Sequence, residues 1–304
     1  MNASGWQPDR LLPGFESLEL PFPDDYDGSV SATLVRLPPP PGAATAVLYV
    51  HGFIDYFFQR HLAERFSEEG FAFYALDLRK HGRSLRSDQH PNFCKSIKEY
   101  YADLTKALEV INQPTVLLGH STGGLVCALY THEGELRGRV KALWLNSPFF
   151  EFNVPRNRRA LLSIGAILGR VFPFLNDRNA VDPAYPKSIH KNYAGEWDFD
   201  LRLKPIEGVP AYHGWVAAIR RAQAQVHSGL SISCPVLTMH SDEADIVLNW
   251  RHIARWSRGL GKDVTTRSFP GGFHDLTLSP RGIRDAVFAS LFAWLRRAAE
   301  SRVA

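Results

Sequence analysis

Thr115-Val116-Leu117-Leu118-Gly119-His120-Ser121-Thr122-Gly123-Gly124 is the stretch whose reading decides the fold. It opens as an apolar strand, turns through Gly-x-Ser-x-Gly, and passes through small residues into a helix over Leu125–Tyr130. Gly-x-Ser-x-Gly by itself is common by chance in a chain with 23 glycines. A strand before it and a helix after it make it a turn so tight that only glycine leaves room around a serine held in strained geometry. Ser121 is therefore the candidate nucleophile.

Working outward from this turn, further short apolar runs lie at Ala46–Val50, Ala72–Leu76, Val140–Leu145 and Pro235–Met239. Unbroken runs of this length suit strands buried on both faces, which is the pattern of a parallel sheet covered by helices. The segments Gln59–Glu69, Lys95–Asn112 and Arg281–Ala299 supply those helices, with apolar residues every three to four positions and charges between them. Upstream, Phe15–Phe22 and Val30–Leu37 flank the turn-forming Asp24-Asp25-Tyr26-Asp27-Gly28 and predict an antiparallel hairpin.

The strand and helix rhythm breaks once, from about Glu151 to Gly229, where the sequence is helical or irregular and rich in Arg, Trp and Tyr. The expected organisation is a core over 1–150, a helical cap or lid over 151–230, and a second part of the core over 231–304. Within the cap, Ala160–Leu175 is apolar around nearly its whole circumference and follows Arg156-Asn157-Arg158-Arg159. Such a helix is expected to pack over the sheet and line a pocket; docking on an anionic membrane is the alternative. Gly169 and Pro173 are expected to interrupt it. Trp197, Tyr212 and Trp215 are candidates for the pocket wall or for packing within the cap.

Composition narrows the function classes. The 304 residues are 45% hydrophobic and 22% charged, as in an ordinary globular enzyme. The net charge of +4 comes from Lys and Arg scattered among 31 acidic residues, which argues against nucleic-acid binding. Three widely spaced cysteines, Cys94, Cys127 and Cys234, indicate neither a disulfide framework nor a metal site, and no His-Glu-x-x-His occurs. Neither a secretory signal nor an apolar run of roughly 20 residues is present, so a cytoplasmic protein is expected.

A serine hydroxyl needs a base to take its proton, and the base needs an acid to fix its tautomer. Gly271-Gly272-Phe273-His274-Asp275 follows a last strand at Val264–Phe269 and precedes the last helix, which places His274 on a loop at the carboxyl edge of the sheet. The acid should lie after Pro235–His240, where Ser241-Asp242-Glu243-Ala244-Asp245-Ile246-Val247 offers three carboxylates. Asp245, anchored by the apolar pair that follows it, is preferred; Asp242 is the alternative and otherwise a turn residue. Oxyanion donors, each worth roughly 10²–10³ in rate in comparable sites, are expected from the backbone N–H groups of Thr122 and of Phe53 in the loop His51-Gly52-Phe53.

His51-Gly52-Phe53, Asp77-Leu78-Arg79-Lys80-His81-Gly82-Arg83-Ser84, Gly119-His120-Ser121-Thr122-Gly123-Gly124 and Gly272-Phe273-His274 together resemble the monoacylglycerol lipase and lysophospholipase branch of the α/β-hydrolases, the serine aminopeptidase S33 type. The resemblance spans nearly the whole core. It implies an α/β-hydrolase fold with a mostly parallel eight-stranded sheet, a helical cap after the sixth strand, no cofactor, and hydrolysis of fatty-acyl or other carboxylic esters. It gives Ser121, His274, Phe53 and Thr122 the roles above and makes Asp77–Ser84 a structural turn. The acid loop departs from the usual Gly-x-x-Asp by one residue. Two alternatives stay open: an amidase or aminopeptidase using the same residues, and a ligand receptor on a hydrolase scaffold without turnover. Serine at the turn argues against dehalogenase chemistry, which places Asp there.

Overall fold

The computed structural model describes residues 5–177 and 182–300. One sheet organises them. Its strands are β1 (Gln7–Pro8), β2 (Glu16–Asp25), β3 (Gly28–Arg36), β4 (Ala46–Val50), β5 (Ala72–Asp77), β6 (Thr115–His120), β7 (Val140–Asn146), β10 (Val236–His240) and β11 (Val264–Ser268). The spatial order is β1-β2-β3-β5-β4-β6-β7-β10-β11. The pairings from β5 through β11 are parallel, whereas β1, β2 and β3 pair antiparallel at one edge. The two-residue β1 is a ninth strand beyond the eight expected. Gln7 and Pro8 are exposed and carry no apolar alternation, so nothing in their composition marks them.

Every residue of β4, β5 and β6 is buried, because successive side chains enter cores on opposite faces. Leu48 and Val50 join one core with Leu104, Leu108 and Leu129, from α2 (Glu99–Ile111) and α3 (Thr122–Glu133). Val47 and Tyr49 join the other with Leu62 and Phe66 of α1 (Arg60–Glu68) and Val287, Leu291 and Phe292 of α8 (Arg281–Glu300). The Asp77–Ser84 turn is a structural knot: Arg83 pairs with Asp9 at 2.7 Å and with Asp77 at 3.0 Å, and buried Lys80 meets Asp25 at 2.9 Å and Asp27 at 2.7 Å.

Between β7 and β10 the chain leaves the sheet. This stretch contains α4 (Arg159–Val171), α5 (Ala184–Ile189), α6 (His213–His227) and a small antiparallel pair, β8 (Asn176–Asp177) with β9 (Ala211–Tyr212). With β1 set aside, the departure follows the sixth strand. Helix α7 (Trp250–Ser257) then precedes β11.

The structure revises the expectation for Ala160–Leu175. Helix α4 lies on α6 by its small residues: Ala166 is buried, and a methyl group at Gly169 would run into the backbone of His213. Leu161, Ile164, Ile167 and Val171 are 53–69% exposed. Gly169 is thus the point of closest helix approach and no interruption, and Pro173 lies beyond the helix end.

Candidate active site

Strand β6 delivers Ser121 to the amino end of α3 at φ 52° and ψ −116°. A serine there is strained, and the surrounding structure imposes it. Ser121 N–H donates to the carbonyl of Asn146 at 3.1 Å, and its own carbonyl accepts from Leu125 at 3.2 Å and Phe149 at 2.9 Å. A Cβ at Gly119 would sit 2.5 Å from the carbonyl oxygen of Gly123, so the turn closes only with glycine. The positive end of the α3 dipole faces the same place, where an anion is stabilised.

His274 stands on the loop between β11 and α8, and its Nδ1 and Oδ2 of Asp245 are 3.0 Å apart with both side chains almost fully buried. The other oxygen of Asp245 accepts from the N–H groups of Val247 at 2.8 Å and Leu248 at 3.0 Å. Burial opposes its ionisation, but His274 and these two amides outweigh that and hold the carboxyl below its ordinary value. Asp242 accepts instead from Ala244 at 3.1 Å and Gly271 at 3.2 Å, as a turn residue does. Glu243 pairs with Arg251. Of the three carboxylates in the loop, Asp245 is the one brought to His274.

Ser121, Thr122, Gly52, Phe53 and His274 line one cavity of about 480 Å³. Phe149, Phe152, Val154, Leu162, Trp215 and Val247 contribute apolar wall to it. Trp215 of α6 stacks on Phe53 with 4.0 Å between ring centroids and 22° between planes, so the expected oxyanion loop is backed by an aromatic from the 151–230 segment. Of the three aromatic candidates, Trp215 is the one on the wall. Trp197 stacks on His61 at 4.3 Å, and Tyr212 packs edge-on against Phe93 and His90, because both sit where the segment meets the core.

Several groups of the site carry no motif. Asp55, two residues beyond Phe53, is buried with Lys204 at 2.7 Å, and both line the cavity. Behind His274, the carboxylate of Asp275 accepts from Asn146 at 2.8 Å, the hydroxyl of Thr277 at 2.7 Å and Gln59 at 3.3 Å. Burial pushes His120 down to about 4, so its ring, 4.8 Å from that of His274, is neutral at pH 7. Asn146 closes β7 at the carboxyl edge and Asp275 follows His274, so position alone could have flagged them. Lys204 is 149 residues from Asp55 and offers no such sign.

A mostly parallel sheet, a serine at the strained turn between β6 and α3, and a histidine and a carboxylate from later loops define an α/β-hydrolase. The family model described as serine aminopeptidase, S33, matches residues 41–281, and the chain belongs to that family. A monoacylglycerol lipase of Mycolicibacterium smegmatis is 23% identical over 268 residues, covering 82% of this chain and 87% of the lipase. A soluble variant of the Saccharomyces cerevisiae monoglyceride lipase, solved with a substrate analog, aligns with a TM-score of 0.73 and 18% identity over 92% of this chain and 97% of that one. The monoacylglycerol lipase of Paleococcus ferrophilus aligns at 0.68 with 22% identity over 84% and 97%.

Proposed function

We propose that this chain hydrolyses carboxylic esters through an acyl-enzyme on Ser121, with lipid-like esters of the monoacylglycerol or lysophospholipid type as substrates. In this reading Ser121 Oγ attacks the ester carbonyl while Nε2 of His274 takes its proton. Asp245 holds the imidazole in the required tautomer and stabilises its positive form. The N–H groups of Phe53 and Thr122 receive the oxyanion. His274 then protonates the departing alcohol, and a water attacks the acyl-enzyme by the same route. The observation that carries the proposal is the apolar-walled cavity of about 480 Å³ on which Ser121 and His274 meet. The names of the related lipases agree with it.

The 151–230 segment would act as the cap of this site and, through the exposed apolar face of α4 with Arg159 and Arg170 on the same helix, touch an anionic lipid surface. No helix among the described residues is long and apolar enough to cross a membrane. Three cysteines set far apart in the sequence suit the reducing cytoplasm as its location. An aminopeptidase reading needs a carboxylate for the substrate's ammonium group; Asp55 is engaged by Lys204, so Asp177 and Asp182, which also line the cavity, would have to serve.

A fluorophosphonate probe should label Ser121, and Ser121→Ala should abolish turnover of long-chain nitrophenyl esters and monoacylglycerols. Labelling elsewhere, or turnover surviving in Ser121→Ala, would overturn the assignment. Ile164→Ser with Ile167→Ser should weaken sedimentation with anionic vesicles while leaving soluble-ester turnover intact.

A further inference from the structure

The loop carrying His274 is gripped from outside the sheet at two points. The hydroxyl of Tyr185, in α5, accepts the backbone N–H of Asp275 at 3.1 Å, and its ring meets the His274 imidazole edge to face, 5.4 Å between centroids and 82° between planes. The indole N–H of Trp197 donates to the carbonyl of Leu278 at 2.7 Å, while its ring lies against His61 and carries the guanidinium of Arg284 at 4.7 Å. Ile189, Phe199 and Leu278 share one buried cluster beneath these bonds, with Tyr185 and Trp197 packed against it.

The residue after the base is thus fixed from both sides. Asn146, Thr277 and Gln59 hold its side chain from the core, and Tyr185 holds its N–H from the inserted segment. An imidazole transfers protons well only when its ring stays within a few tenths of an ångström of the productive position. One of the bonds that fix it originates ninety residues away, on a different part of the fold. Tyr185 also lines the cavity beside His274, so its ring limits the base's rotation directly.

We propose that Tyr185 is a positioning residue for His274, and that residues 184–199 form a fixed part of the catalytic machinery which moves only together with the base loop. This rests on the serine-hydrolase reading of Ser121, His274 and Asp245. Trp197 acts with Tyr185 at the far end of the same loop.

Tyr185→Phe keeps the aromatic edge and removes only the acceptor. The expected result is a kcat about tenfold lower on a soluble nitrophenyl ester, the cost of a base held less precisely, with KM changed by less than about twofold. The imidazole resonances of His274 in selectively labelled protein, and the pH profile of kcat, should shift with it. Trp197→Phe, which keeps the stack and removes the indole donor, should act in the same direction, and it decides the matter if Tyr185→Phe does not fold. An unchanged kcat together with unchanged His274 resonances would overturn the proposal, as would a rise in KM alone, which would make Tyr185 a substrate contact. If wild-type protein turns over no ester, the functional reading fails, and the His274 resonances of the two variants still decide the positioning.

Discussion

Asp245→Asn preserves the shape of the side chain and reverses one hydrogen bond. In the native chain one oxygen of Asp245 accepts from Val247 and Leu248 at 2.8 and 3.0 Å, and the other faces Nδ1 of His274 at 3.0 Å. An asparagine must turn its carbonyl oxygen toward the two amides, since its NH₂ there would set donor against donor inside a buried pocket. The NH₂ then faces His274, which has to present a lone pair at Nδ1 and carry its proton on Nε2. A ring already protonated on Nε2 cannot take the proton of Ser121. Wrong-tautomer substitutions in other Ser-His-Asp enzymes lower kcat by roughly 10⁴, equivalent to about 5.5 kcal/mol. The same loss is expected here, measured as kcat on a soluble nitrophenyl ester at neutral pH, with the rate of fluorophosphonate labelling as a second readout. Asp242→Asn touches only two turn amides and should stay within about threefold of wild type. Asp245→Asn retaining more than about a tenth of the rate, or Asp242→Asn matching its loss, would refute the assignment of the acid.

Trp215→Ala removes both an apolar wall and the ring stacked on Phe53, so kcat/KM for long-chain esters should fall about 10- to 100-fold, with the acetate ester losing less. Equal losses for both esters would place the effect on the oxyanion loop alone. Acid stability follows from three histidines that burial pushes down, His61 and His120 to about 4 and His81 to about 3. They stay neutral in the native chain, whereas the unfolded chain protonates them near the ordinary histidine value of about 6.5. The unfolded state therefore binds more protons between those limits, and stability is lost as pH falls through that window, by about 1.4 kcal/mol per unit and ring. Thermal unfolding should show Tm declining steeply from about pH 6.5 toward 4, with a shallower slope in His81→Gln; a flat Tm over that range would contradict it.

The strands were legible because β4, β5 and β6 are buried on both faces, and such strands read as unbroken apolar runs whatever surrounds them. Ser121 and His274 were legible for a related reason: each stands at a sheet edge defined by the strand before it. The acid loop was less so. Asp242, Glu243 and Asp245 differ in where their oxygens point, and that direction is set by the amides of Val247 and Leu248, which composition does not display. Tyr185 and Lys204 were illegible because their partners lie 90 and 149 residues away, with no periodicity to relate them. Helix α4 lines the cavity through Leu162, as expected, but its burial was misjudged, because an all-round apolar sequence implies burial only when the large residues make the contact. Here the small ones do, at Ala166 and Gly169.

That difference divides the inserted segment by the cost of lifting each half. Displacing the part from α5 into α6 would separate Asp55 from Lys204, a buried pair at 2.7 Å. It would also break the bonds from Trp197 to Leu278 and from Asp200 N–H to the hydroxyl of Tyr56, at 2.7 Å each, and unstack Trp215 from Phe53. Helix α4 is held chiefly through small residues against α6, and its outward leucines and isoleucines lose nothing in packing when it shifts. Leu162 of α4 lines the same cavity as Ser121. A movement confined to α4 would therefore change access to the cavity while leaving the loops of His274 and Phe53 clamped by Tyr185, Trp197 and Trp215.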